Sequence, residues 1–248
     1  MGIFRKDKKS GQVLVFAFPR TGSTTLAEGL GLFWRVRVIL EPFNEEDGYA
    51  AAREISGKES LYQVLDEISS RGIHVIKHLN CQLERDLNCR LLEYGYRRIL
   101  FLWRRNALKR AVSNEISFQS QEWRRDRQRI IDTDFKPLDL EKLKANIKWY
   151  RSEVEWYRQF LLSLRVSFRE IVMEDFYRDS MEEKEAFIVR LARECFPVRG
   201  LRCNRELLRQ LLSPEVSKLN SPETYRLIPN IDEINRELAG EENGYLFD

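Results

Sequence analysis

The chain has 248 residues, 43% hydrophobic and 33% charged, with 42 basic against 39 acidic side chains. Such apolar content supports a sizeable core, and the near-balanced charge excludes a disordered chain and argues against a general nucleic-acid binder. Two histidines, and no CxxC pair among Cys81, Cys89, Cys195 and Cys203, argue against a His-rich metalloenzyme, and the cysteine usage suits a reducing compartment.

Met1 to Gly11 is short and basic, with no signal-type apolar run behind it. No stretch approaches the ~20 apolar residues of a membrane span. The expectation is a cytoplasmic protein with no membrane span. In chain order, a strand is predicted over Val13–Phe18, a helix over Ser23–Trp34 and a strand over Val36–Leu40. A helix over Leu61–Ser70, a strand over His74–Ile76 and a helix over Gln82–Tyr94 follow. Then come a strand over Ile99–Trp103, helices over Ala107–Gln121 and Leu140–Leu164, and a strand over Val166–Met173. The first and fourth strands are almost wholly apolar, as parallel strands buried on both faces are. Leu140, Leu143, Ile147, Tyr150, Val154, Tyr157, Leu161 and Leu164 recur at helical spacing, with Asp139 placed as the N-cap. Strand–helix alternation predicts an α/β fold around a mostly parallel sheet of about five strands, with residues 1–248 as one domain. In such sheets ligands sit at the carboxyl ends of the strands.

The first strand runs into Pro19-Arg20-Thr21-Gly22-Ser23-Thr24-Thr25 and then a helix. Alone, a Gly-Ser-Thr turn is an ordinary helix cap. Preceded by an arginine in the first βα turn of a parallel sheet, it reads as an anion site. Free first-turn N–H groups, the positive end of the helix dipole, three hydroxyls and a guanidinium all converge there. The turn lacks the first glycine and the lysine of a Walker A loop.

Phe18 to Thr24 resembles the 5′-phosphosulfate loop of PAPS-dependent sulfotransferases, Pro-[Lys/Arg]-[Ser/Thr]-Gly-[Ser/Thr]-[Ser/Thr]. That family carries a second element, an arginine at a strand end and a serine eight residues later, which bind the 3′-phosphate. Arg105 follows Ile99–Trp103, and Ser113 stands eight residues beyond it. More loosely, Glu41-Pro42-Phe43-Asn44 is similar to an element of carbohydrate-type members, Glu174-Asp175-Phe176 to an acidic–aromatic segment of the family, and Gln119 to Trp123 and Lys218 to Tyr225 to segments of bacterial Nod-factor and trehalose sulfotransferases. Where cytosolic aryl sulfotransferases place a tryptophan just after the loop, this chain has Leu26.

The resemblance implies a three-layer, P-loop NTPase-like sulfotransferase fold. It also implies transfer of a sulfuryl group from PAPS to a hydroxyl of a glycan or small metabolite, leaving PAP and needing no metal. Arg20 would act on the bridging oxygen, and Arg20, Thr21, Gly22, Ser23, Thr24 and Thr25 would hold the 5′-phosphate. Arg105 and Ser113, with Lys218 from the late loop, would hold the 3′-phosphate. Two residues compete as general base. Glu41 ends the second strand, as the acid does in carbohydrate-type members. His78 resembles the histidine of the Lys-x-His segment of cytosolic members, but here Lys77 adjoins it directly. A one-residue shift on a strand turns a side chain to the other face. A small-molecule kinase of P-loop type, or a nucleotide-binding protein without catalysis, are the other readings. The basic run Arg124 to Arg129 reads as a solvated helix end or as a surface for an anionic acceptor.

Overall fold

Runs of β-branched and aromatic residues become strands, and the amphipathic runs between them become helices. The structure, a computed structural model, describes residues 9–46, 48–69, 72–123, 127–177, 180–196, 202–213 and 222–247. The elements begin β1 (Lys9–Ala17), α1 (Ser23–Gly31), β2 (Val36–Leu40), α2 (Lys58–Ile68), β3 (Ile73–Leu79), α3 (Arg85–Leu92) and β4 (Tyr96–Trp103). They continue with α4 (Ala107–Ser120), α5 (Arg127–Ile131), α6 (Leu140–Ser163), β5 (Phe168–Val172), α7 (Met173–Phe176), α8 (Met181–Cys195) and α9 (Arg205–Leu212), and end with α10 (Pro222–Tyr225) and α11 (Ile231–Leu238). Two compact units result, Met1–Trp103 with Gln159–Leu212 and Arg104–Arg158 with Ser213–Asp248.

The first unit holds the sheet, five strands in the order β2-β3-β1-β4-β5 with every pairing parallel. The α/β expectation is thus met. Alternation along β1 sends Val13, Val15 and Ala17 into one cluster with Leu26 and Leu30 of α1, Ile188 and Leu191 of α8, and Leu208 and Leu212 of α9. Leu14, Phe16 and Phe18 are equally buried, and the rings of Phe16 and Phe18 meet Phe101 of β4. A strand covered on both faces has no polar side to show, which is why β1 and β4 read as unbroken apolar runs. From β1 the chain turns toward β2, and from β4 toward β5. The strand order therefore diverges between these neighbours, the arrangement that opens a crevice beyond the carboxyl ends.

The second unit is built on α4 and most of α6. The predicted stripe of α6 is the buried one: Leu143, Ile147, Tyr150, Val154 and Tyr157 are all within 5% exposure. Asp139 caps it, its carboxylate accepting the N–H groups of Glu141 and Lys142. Asn230 exchanges two hydrogen bonds with the backbone of Leu138, both at 2.9 Å, which binds the C-terminal segment into this unit.

Several element boundaries differ from the sequence reading. α1 ends at Gly31 rather than Trp34, because Phe33 pairs with Cys203 in an isolated bridge and Arg35 turns the chain at φ 68° into β2. β3 extends through Leu79, so Lys77 and His78 are strand residues. Gln82 lies in a 3-10 turn before α3, not in the helix. Among the described residues no helix is long and apolar enough to cross a membrane.

Candidate functional site

The site in the first unit is assembled at the carboxyl ends of β1, β2 and β3. After β1, the buried Thr21 hydroxyl donates to the Phe18 carbonyl at 2.7 Å and closes the turn. Arg20 has φ 67° and Gly22 φ 76°, so the loop passes twice through the left-handed region. That region is easy for glycine and strained for arginine. At Gly22 a Cβ would also lie 2.5–3.0 Å from the end of the Tyr177 side chain, so another residue would be strained in conformation and would have to displace that ring. Gly22 caps α1 without a side chain, and its carbonyl takes the N–H of Leu26. The earlier amides of Ser23, Thr24 and Thr25 belong to the first turn, where a helix offers no internal acceptor.

β2 delivers Glu41. It directly follows the strand, at φ 49°, and its N–H donates to the Lys77 carbonyl at 2.8 Å. The register pairs Leu40 with Lys77, which brings the two side chains together. The Lys77 ammonium is ion-paired to Glu41 Oε1 and donates to Thr24 Oγ1 at 3.1 Å. Gln82 Nε2 donates to Glu41 Oε2 at 2.6 Å, and Asn44 Nδ2 reaches the same oxygen at 3.4 Å. The Lys77 side chain is 4% exposed and that of Glu41 27%, so the lysine is enclosed while the carboxylate keeps a route to solvent. Burial alone would raise the Glu41 carboxyl, but the charge of Lys77 and the three donors outweigh it and hold it below the ordinary value. Burial lowers the Lys77 ammonium, and Glu41 opposes this without cancelling it.

His78, one residue on, turns to the other side of β3. It is fully buried, with rings of Phe16 and Phe43 at 5.7 and 5.4 Å. Asn88 Nδ2 donates to the carbonyls of Asn80 and Leu83, which fixes the amide and leaves Oδ1 to accept from His78 Nε2 at 2.7 Å. The remaining nitrogen, Nδ1, is itself buried. Burial pushes the imidazole down to about 4, against the pull of the Asn88 hydrogen bond.

The remaining predicted residues lie in the second unit. Arg105 is exposed, two residues before α4, and Ser113 is buried on that helix. The entry to α4 is held firmly. Asn106 accepts the N–H of Lys109 at 2.7 Å and donates to the Tyr245 carbonyl at 2.8 Å, while the Tyr150 hydroxyl bonds both backbone groups of Arg104. Lys218 lies outside the described residues, as do Arg124 and Arg125 of the basic run. The exposed Trp123 stands edge-on to Phe118, ring centres 4.8 Å apart.

The structure therefore gathers the Arg20–Thr25 loop, Glu41 and Lys77 in one unit and turns His78 to the other face of β3, where it is buried but still within electrostatic reach of Glu41, Lys77 and Gln82. The sequence reading did not anticipate Gln82, which orients the carboxylate, or Tyr177, which packs on Gly22. No local signal marks either, because both act through contacts distant in the chain. Comparison with protein-family models, with curated proteins and with solved structures returns no match.

Proposed function

We propose that this chain is a cytoplasmic PAPS-dependent sulfotransferase of the P-loop-like fold, acting on a hydroxyl of a glycan or small metabolite. The observation that carries the reading is the linkage from Thr24 through Lys77 to Glu41. A carboxylate stands hydrogen-bonded, through a buried cation, to the helix N-terminus that resembles the phosphosulfate loop.

The donor set fits a phosphosulfate. Backbone amides of the first turn of α1, the hydroxyls of Ser23, Thr24 and Thr25, and the cations of Arg20 and Lys77 are all donors suited to a dense anion. The bound donor supplies an activated sulfuryl group. Glu41 takes the proton of the acceptor hydroxyl as its oxygen bonds to sulfur. Arg20 and the α1 amides stabilise the electron pair left on the phosphate oxygen when the sulfur–oxygen bond breaks. By resemblance, Arg105 and Ser113 take the 3′-phosphate, which would separate PAPS from ATP. The preference for Glu41 over His78 rests on access and charge: the imidazole is sealed and neutral, whereas the carboxylate is ionised and reaches solvent.

Calorimetric titration with PAP and with ATP tests the reading. PAP is expected to bind more tightly without magnesium, and Arg105→Ala to weaken PAP far more than adenosine 5′-phosphate. Tighter, magnesium-dependent binding of ATP would replace the sulfotransferase by a kinase.

A further inference from the structure

Lys77 is an unusual place for a lysine. It is a mid-sheet strand residue with its side chain 4% exposed, and its two hydrogen-bonding partners belong to different functional pieces, the anion loop and the candidate base. A lysine placed only to balance Glu41 would need no tie to Thr24. A lysine placed only to bind the anion would leave the carboxylate alone. Here the same ammonium serves both, and it has a limited number of donors to share.

We infer that Lys77 is a positioning residue that couples donor binding to release of the base: it clamps Glu41 before the donor binds and turns toward the donor's anion, along its Thr24 contact, once the loop is filled. The inference rests on the sulfotransferase reading. Clamped to Lys77, Glu41 is a poor proton acceptor. With the ammonium drawn to the stronger charge, the carboxylate loses its main partner while its partial burial persists, and its basicity rises when an acceptor can use it. The device also withholds the base from water or acceptor until the sulfuryl donor is in place.

The charged surroundings are compatible with this. Besides Glu41, Cys81 and Glu28 act on Lys77. His78 senses both Glu41 and Lys77, but at about 4 it is neutral over the range in which the device would work. The anion's own charge would also raise the Glu41 carboxyl, so the test must separate repulsion from release.

The experiment follows the 13C carboxyl signal of Glu41, assigned by its loss in Glu41→Gln, through a pH titration with and without PAP in the wild type and in Lys77→Met. PAP is expected to raise the wild-type carboxyl by at least about one pH unit, a tenfold gain in proton affinity. In Lys77→Met the starting value is expected to be already high and the further rise much smaller. Lys77→Gln, which keeps an uncharged donor, serves where the methionine variant does not fold. Equal rises in wild type and variant would leave repulsion alone and overturn the inference, as would no rise in the wild type with PAP bound. Failure of PAP to bind at all would remove the sulfotransferase reading, and the inference with it. Binding without the Lys77-dependent rise would remove only the inference.

Discussion

Lys77 and His78 are neighbours on one strand and live in opposite chemistries. On the Lys77 side the carboxyl end of the sheet is polar and linked: ammonium, carboxylate, hydroxyl and amide join the anion loop to the end of β2. On the His78 side two aromatic rings and an amide with every polar group engaged enclose a neutral imidazole. The backbone pleat alone separates them, since successive side chains point to opposite faces. The contrast teaches that a titratable residue at the carboxyl end of a strand is not thereby a catalytic candidate. What matters is whether its face opens on the crevice with its charge compensated, or on the core with its charge suppressed.

Exchange of the two candidate bases breaks this comparison most directly. Glu41→Gln keeps the shape and one acceptor oxygen, enough for Lys77 or Gln82 but not for both, and since it leaves the anion loop untouched PAP affinity should survive. Turnover should fall by about 10²- to 10⁴-fold, the usual contribution of a positioned general base. His78→Gln should leave turnover near wild type. Single-turnover rates at saturating PAPS, measured on an acceptor found by labelled-sulfate screening, decide between them. The reverse pattern would make the sealed face the working one.

Stability against pH tests the same contrast without any substrate. The His78 imidazole is held at about 4 in the native state against an ordinary 6.5. As pH falls from 6.5 toward 4 the unfolded chain takes up a proton there that the native state refuses, so stability drops across that window and the loss is complete below it. A difference of that size corresponds to about 3 kcal/mol. Glu41, whose native value is lowered, also costs stability as acid protonates it, a loss present in both wild type and His78→Gln. Urea unfolding at pH 7 and pH 4 should therefore show the wild type losing about 3 kcal/mol more than His78→Gln. Parallel losses would mean that the cage admits water.

The sheet and much of the site were legible because their causes are local. Continuous apolar runs gave β1 and β4 away, the helical period of α6 matched its buried stripe, and the Arg-Thr-Gly-Ser-Thr turn sits between strand and helix where the pattern placed it. Even the separation of His78 from the loop was foreshadowed by the missing residue between it and Lys77. Which acid Lys77 would meet was not legible, since it depends on which residue of β2 lies opposite which residue of β3, and neither strand's sequence encodes that register. Nor do residue types announce that Arg20 and Glu41 adopt positive φ. Arg20 stands in the anion loop and Glu41 at the end of β2, and strained conformations of this kind persist where surrounding contacts hold them.

The smallest expected effect probes how open the Lys77 side is. Gln82 lies outside the pair, yet its amide donates to Glu41 Oε2 at 2.6 Å and its own oxygen accepts the Leu79 N–H at 3.1 Å. Gln82→Met keeps the bulk and removes both bonds. A hydrogen bond to the ionised form favours ionisation, so its loss should raise the Glu41 carboxyl. With the Glu41 side chain 27% exposed, water can replace most of what is lost, and the rise should stay below about one pH unit. The 13C titration of Glu41 in this variant measures it. A rise well above one unit would mean that the carboxylate is drier than its exposure implies, bringing its environment closer to that of His78. A smaller one keeps Glu41 on the wet side of β3, where an acceptor hydroxyl could reach it.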